Sequence, residues 1–254
     1  MEVLTHWLPT AVAIVLLAGI ATIGLVGFRI PRPWAAVGAI ARAILQLAAL
    51  SFVLAGILHD PLWVAIGLGV MFAAAVFTAA RRARVTLRQA APLAIAMLAG
   101  PLAVMAIVFA TGAIEFSPRY ALAIGGIVIG NTMTIAILTQ RVFHNSVRDH
   151  WDEVEGWLAL GATPRRSTIT LARSAVRTAL LPSIDQTRTT GIVVLPGAFV
   201  GAIFGGASPL EAGRFQIVVL ASILAAGVLT GTILTRLTGA VLQRPLPDDE
   251  APRA

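Results

Sequence analysis

Between Arg119 and Arg141 the chain reads YALAIGGIVIGNTMTIAIL (residues 120–138), then Thr139 and Gln140, without one charged side chain. As a helix rising 1.5 Å per residue, these residues cover about 29 Å, close to the ~30 Å of a bilayer's hydrocarbon. A backbone in lipid must satisfy its own polar groups, so a stretch of this kind predicts a transmembrane helix. Working outward, the same reading applies to Leu8–Phe28, Trp34–Leu58, Pro61–Ala80, Pro92–Ile114 and Phe215–Leu237. A seventh stretch, Gly191–Phe204, is shorter and holds Leu195-Pro196-Gly197. It is expected to be kinked or broken, or to begin further back near Leu180.

Composition agrees. Hydrophobic residues make up 57% and charged residues 12% of the 254, against roughly 45–50% and about 25% in soluble chains. The expected fold is all-α: a polytopic membrane protein of about seven helices, a single transmembrane domain over residues 1–254, and not a soluble enzyme. No cysteine is present, which removes disulfides and thiolate chemistry. All 19 basic residues are arginines. They sit between apolar runs, so anionic lipid explains the +7 charge better than nucleic acid does.

The arginines also predict orientation. Sixteen fall in alternate loops and the tail, among them Arg29, Arg32, Arg81, Arg82, Arg84, Arg88, Arg141, Arg148, Arg236 and Arg253; the other side holds only Arg119 and Arg214. By the positive-inside rule, the N-terminus lies outside and the C-terminus in the cytoplasm of an inner, plasma-type membrane. The first span lacks a basic leader and is followed by Arg29, so it reads as a retained helix and not a signal peptide.

The long polar stretch between the fifth and sixth spans, about residues 139–182, has internal order. Asp152, Glu153 and Glu155 precede Trp157-Leu158-Ala159-Leu160, then Gly161 and Pro164. Acidic residues favour a helix start, glycine its end, and proline the first turn of the next helix. That next helix places Ile169, Ala172, Val176 and Leu180 on one side and Arg166, Arg173 and Arg177 on the other. The pattern predicts an amphipathic helix lying along the headgroups. A docking device for another protein and an ordinary loop with two surface helices both fit these residues.

Glu155-Gly156-Trp157-Leu158-Ala159-Leu160-Gly161 has the Glu-to-Gly spacing of the coupling helix of ABC-transporter permeases. The longer run Leu158 to Pro164, with Arg177 to Asp185, Thr190 to Gly197, Phe204-Gly205-Gly206, Pro209 and Phe215 to Val218, resembles the bacterial iron-export permeases of the Fet type. The plant aluminium-sensitivity permeases belong to the same group. Arg42 to Leu47 and Gly130 to Thr134 extend the resemblance from the second span onward. It implies a permease subunit whose permease domain is residues 1–254, a homodimer in its working form, with Glu155, Trp157, Leu160, Gly161 and Pro164 coupling it to a separate nucleotide-binding ATPase. It also implies export of a metal ion, iron. Ala198-Phe199 stands where many members carry a methionine pair, which weakens a soft thioether metal site there.

ATP binding by this chain itself is excluded at the level of motif, because the phosphate-binding loop needs a lysine and there is none. No cofactor or bound metal is expected: His59, His144 and His150 are too scattered for a metal cage. Charges inside spans cost roughly 2.5–3.5 kcal/mol each and call for a reason. Arg42, with Gln46 one turn on, is expected either to snorkel or to pair with Asp185. These three, with Asn131, Thr132, Thr134 and Thr189, are candidates for a translocation path or gate. Gly197, Gly201 and Gly205 recur every fourth residue and predict a helix-packing face. Competing classes are an ion-coupled secondary transporter or channel, which would use deep acidic residues of which Asp185 is the sole candidate, and a non-transporting membrane scaffold.

Overall fold

The computed structural model describes residues 2–57, 60–85 and 87–245. Leu58, His59 and Arg253 of the readings above lie outside the described residues. Every regular element among the described residues is a helix. The chain forms two compact units, Met1–His59 and Asp60–Ala254.

In the first unit, α1 (Glu2–Gly27) and α2 (Ala35–Ile57) are joined by a short turn. Arg29 and Arg32 there take left-handed backbone angles, φ 52° and 63°. Nearly all of the described surface of α1 is exposed apolar side chain. Thr22 is the buried exception, and its hydroxyl donates to the Ala18 carbonyl one turn back.

The second unit holds α3 (Pro61–Ala83), α4 (Leu87–Ala110), α5 (Pro118–Asp149), α6 (Trp151–Ala159), α7 (Pro164–Thr189), α8 (Gly197–Phe204) and α9 (Pro209–Thr238). One sequence device starts four of them: a capping-type residue followed by proline. Asp60-Pro61, Ser117-Pro118 and Ser208-Pro209 each cap with the side chain, accepting from Leu62, Tyr120 and Glu211 amides. Thr163-Pro164 begins α7 in the same way without the side-chain bond. Proline costs nothing at this position because its missing N–H would have no helical partner.

Close contacts fix the helix directions. Thr168 of α7 donates to the Gly239 carbonyl at 2.7 Å. Eight residues on, Val176 lies against Gly231, eight residues back; four further, Leu180 lies against Gly227, four further back. The two helices therefore run antiparallel in constant register. On the other side of α9, Ile135 faces Gly227 and Thr139 faces Gly231, so α5 runs parallel to α9. Leu68 against Gly125 and Arg82 against Arg141 make α3 parallel to α5 as well. One end of this unit thus collects Arg81, Arg82, Arg141, Arg148 and Arg236, while Arg119 and Arg214 stand at the other. Apolar clusters fill the interior, one of Leu93, Met97, Ala136 and Leu234, another of Val104, Ile124, Val128, Val219 and Ile223.

Among the described residues, five helices are long and apolar enough to cross a membrane: Leu8–Gly27, Pro61–Ala83, Ala90–Ala110, Pro118–Asp149 and Pro209–Thr238. The second predicted span corresponds to α2, with an apolar part at Ala35–Ser51. One expectation is refined and one corrected. The stretch Gly191–Phe204, expected to be kinked or broken or to begin further back, is broken: a turn followed by α8, eight residues or about 12 Å, too short to cross ~30 Å by itself. Pro196 stands at the start of α8, and Gly191 takes φ 85° in the turn before it. The predicted surface helix is the first part of α7, which continues to Thr189 and packs lengthwise on α5 and α9. Its small residues Ala172, Ala175 and Ala179 let it sit close, and Ile169, placed on the apolar side by spacing, is exposed.

Candidate functional site

At the arginine-rich end, α5 reaches about 48 Å from its start by length, well beyond a bilayer's hydrocarbon. It breaks at His150, which closes α5 and opens α6, with its Nδ1 3.0 Å from the Ser146 carbonyl. Nine-residue α6 follows and packs against α7 and the end of α5. Asp152 and Glu153 in its first turn complement the positive end of its dipole. Val154 is fully buried and pins the helix; Glu155 is exposed, Trp157 is 48% exposed and Leu160 83%.

The end of α6 is a two-bond glycine cap. The Gly161 N–H donates to the Leu158 carbonyl at 2.9 Å and the Ala162 N–H to that of Trp157 at 3.0 Å. Gly161 has φ 85°, a conformation that strains any residue with a Cβ. Pro164 starts α7 three residues later. The helix was expected at Glu155–Gly161; it begins earlier, at Trp151, because the break in α5 sets its start.

The other candidate residues separate into groups. On α5, Thr132 is buried and spends its hydroxyl on the Ile129 carbonyl. Asn131 is half-buried and donates to the Ile127 carbonyl, while Thr134 is exposed. Arg42 and Gln46 are exposed on α2 of the first unit. Asp185, in the second unit, has the Arg188 guanidinium 3.7 Å away, with both side chains exposed. The Thr189 hydroxyl donates to the Asp185 carbonyl. A Cβ added at Gly197 or Gly201 would meet nothing within 4 Å, and one at Gly205 only its own preceding turn.

Three contacts carry no sequence pattern. Arg141 donates through Nε and Nη2 to the Arg82 carbonyl at 3.1 and 2.7 Å, closing the end of α3 from 59 residues away. Arg214 does the same for the Ala113 carbonyl after α4, at 2.8 Å. Gly100 brings α4 against the α9 backbone at Ala226 and Thr230. Among the described residues, no three His, Cys, Asp or Glu side chains gather to hold a metal ion.

The chain is 39% identical over 201 residues to "UPF0014 membrane protein STAR2" of Oryza sativa subsp. japonica, covering 78% of this chain and 70% of that protein. It is 35% identical to "Protein ALUMINUM SENSITIVE 3" of Arabidopsis thaliana, over 78% of this chain and 73% of that protein. It is 32% identical to "Probable iron export permease protein FetB" of Escherichia coli (strain K12), over 78% of each. No solved structure matches it. The pattern of the Uncharacterised protein family (UPF0014) matches residues 7–242, and the chain, a multi-pass membrane protein, belongs to that family.

Proposed function

We propose that this chain is the permease subunit of a transporter driven by a separate nucleotide-binding ATPase, working as a pair of permeases with a pair of ATPases. The observation that carries the reading is α6. It is a short helix anchored by buried Val154 and ended by a glycine cap, with Trp157 and Leu160 left exposed. Exposed Trp and Leu at the wet end of a membrane protein are costly unless a partner covers them. The relative named as an iron export permease supports a metal as cargo. Gly197 and Gly201, open on their Cβ side, are offered for contact between the two permeases.

In this reading the arginine-rich end faces the cytoplasm of the plasma membrane. The chain crosses seven times, with α7 as the sixth crossing in place of Gly191–Phe204. The native chain has no thiol, so single cysteines at Trp157 or Leu160 are clean probes. Each is expected to crosslink to the co-expressed nucleotide-binding subunit. Failure at both positions, in membranes where the two proteins co-purify, would remove α6 from the coupling interface.

A further inference from the structure

α7 is the polar member of a bundle whose other long helices are apolar. It carries Arg173, Arg177, Asp185 and Arg188, all exposed, within one arc of the helix turned away from α5 and α9; Gln186, also exposed, lies instead on the stripe of Ala175 and Ala179. Its register on α9 says how deep they lie. The apolar part of α9 runs between Arg214 and Arg236, which mark the two interfaces. The contacts of Thr168, Val176 and Leu180 with Gly239, Gly231 and Gly227 put Arg177 level with Thr230, and the next turns of α7 put Asp185 level with Ser222. Arg177 is then about 9 Å inside the Arg236 level, and Asp185 about 12 Å inside that of Arg214 and about 21 Å from that of Arg236.

Arginines at such depths can snorkel along their stems, but an aspartate side chain cannot reach either surface. An ionised Asp185 facing lipid is costly, and Arg188 at 3.7 Å, itself exposed, does not cover it. On the neighbouring helix, uncovered Gly130 and Thr134 and half-buried Asn131 lie at matching depth, since α5 keeps step with α9. Polar and small groups of two neighbouring helices, left wholly or partly uncovered by the unit's own helices, therefore share one membrane depth.

We propose that this face of α7 lines a water-filled path across the membrane and that the path favours an anionic solute. Three arginines, Arg173, Arg177 and Arg188, face one aspartate, so the lining attracts anions and repels a bare divalent cation. The proposal rests on the transporter reading above and narrows its cargo: a metal crossing here travels as an anionic complex.

The test uses the full chain in membrane vesicles, with single cysteines at Thr178 and Leu181 on the open face and at Ala175 and Ala179 on the buried one. The probes are 2-sulfonatoethyl methanethiosulfonate, an anion, and its 2-(trimethylammonium)ethyl counterpart, a cation. Rates are normalised to those of a free thiol. Thr178→Cys and Leu181→Cys are expected to react and the buried pair to resist, with the anionic reagent preferred at Thr178→Cys. Arg177→Gln should reduce that preference, because one charge at roughly 8 Å and an effective dielectric of about 40 changes each ion's local concentration about five-fold, in opposite senses. Arg177→Lys, which keeps the charge, should retain it.

Silence at both open positions overturns the water-filled path. Preference for the cation, or no change with Arg177→Gln, overturns the anionic selectivity. Neither readout needs the ATPase, so a failure of α6 to crosslink and a failure of this labelling are separate results.

Discussion

Gly100 sets how closely α4 approaches α9. A Cβ there would lie 2.6 Å from the Ala226 carbonyl oxygen and 2.7 Å from Thr230 Oγ1, so backbone would have to move. At Gly227 the added carbon would meet the Cδ1 of Ile135 at 2.5 Å and the Cδ2 of Leu180 at 3.1 Å, the ends of flexible side chains. Gly100→Ala is therefore expected to destabilise the protein by about 1–3 kcal/mol. Gly227→Ala should cost less, and Gly197→Ala, with open space, close to nothing in a single permease chain. Thermal unfolding in detergent would check the order, and equal midpoints for Gly100→Ala and Gly197→Ala would refute it. Fourfold spacing drew attention to Gly197, Gly201 and Gly205 because it shows which residues share a helix face. It does not show what that face meets. Within this chain the Gly227/Gly231 pair is the one packed against neighbours, on Ile135, Val176, Leu180 and Thr139.

At the scale of the element, α6 depends on its last turn. Replacing Gly161 by alanine forces a Cβ into a left-handed backbone, at a cost of about 1–2 kcal/mol. The helix ends frayed while α5 and α7 stay packed. The expected outcome is a lower yield of Leu160→Cys crosslinking to the ATPase with no loss of folded protein in size-exclusion chromatography. Undiminished crosslinking would mean the cap does not hold the helix in place. The end of α6 was legible because Gly161 and Pro164 are local signals with one conformational meaning each. Its beginning was not, since His150 is an ordinary residue in sequence and the break there belongs to the whole of α5. α7 was half legible. Its boundaries at Pro164 and the apolar positions Ala172, Val176 and Leu180 follow from spacing. Its course beside α9 follows from alanines and a Thr168–Gly239 hydrogen bond spanning 71 residues, which no window of sequence contains.

For the molecule as a whole, the segregation of arginines is the most legible feature, because it rests on counting charges between apolar runs and not on any contact. The helix directions in the second unit agree with it: the ends of α3 and α5 and the end of α9 lie together, apart from Arg119 and Arg214. Reporter fusions at Asp60 and Glu115 are expected on the periplasmic side and fusions at Arg84 and Asp152 in the cytoplasm; the reverse pattern would overturn the orientation. In the proposed seven-crossing topology the span count is the harder reading, because α7 is too polar to stand out by hydropathy. Its omission changes more than a total. Six crossings return a chain's two termini to the same face, whereas seven part them. In the proposed topology parity therefore hangs on α7, the helix that looks least like a membrane span, and a relative whose α7 is overlooked acquires an inverted tail on paper while every apolar segment is assigned correctly.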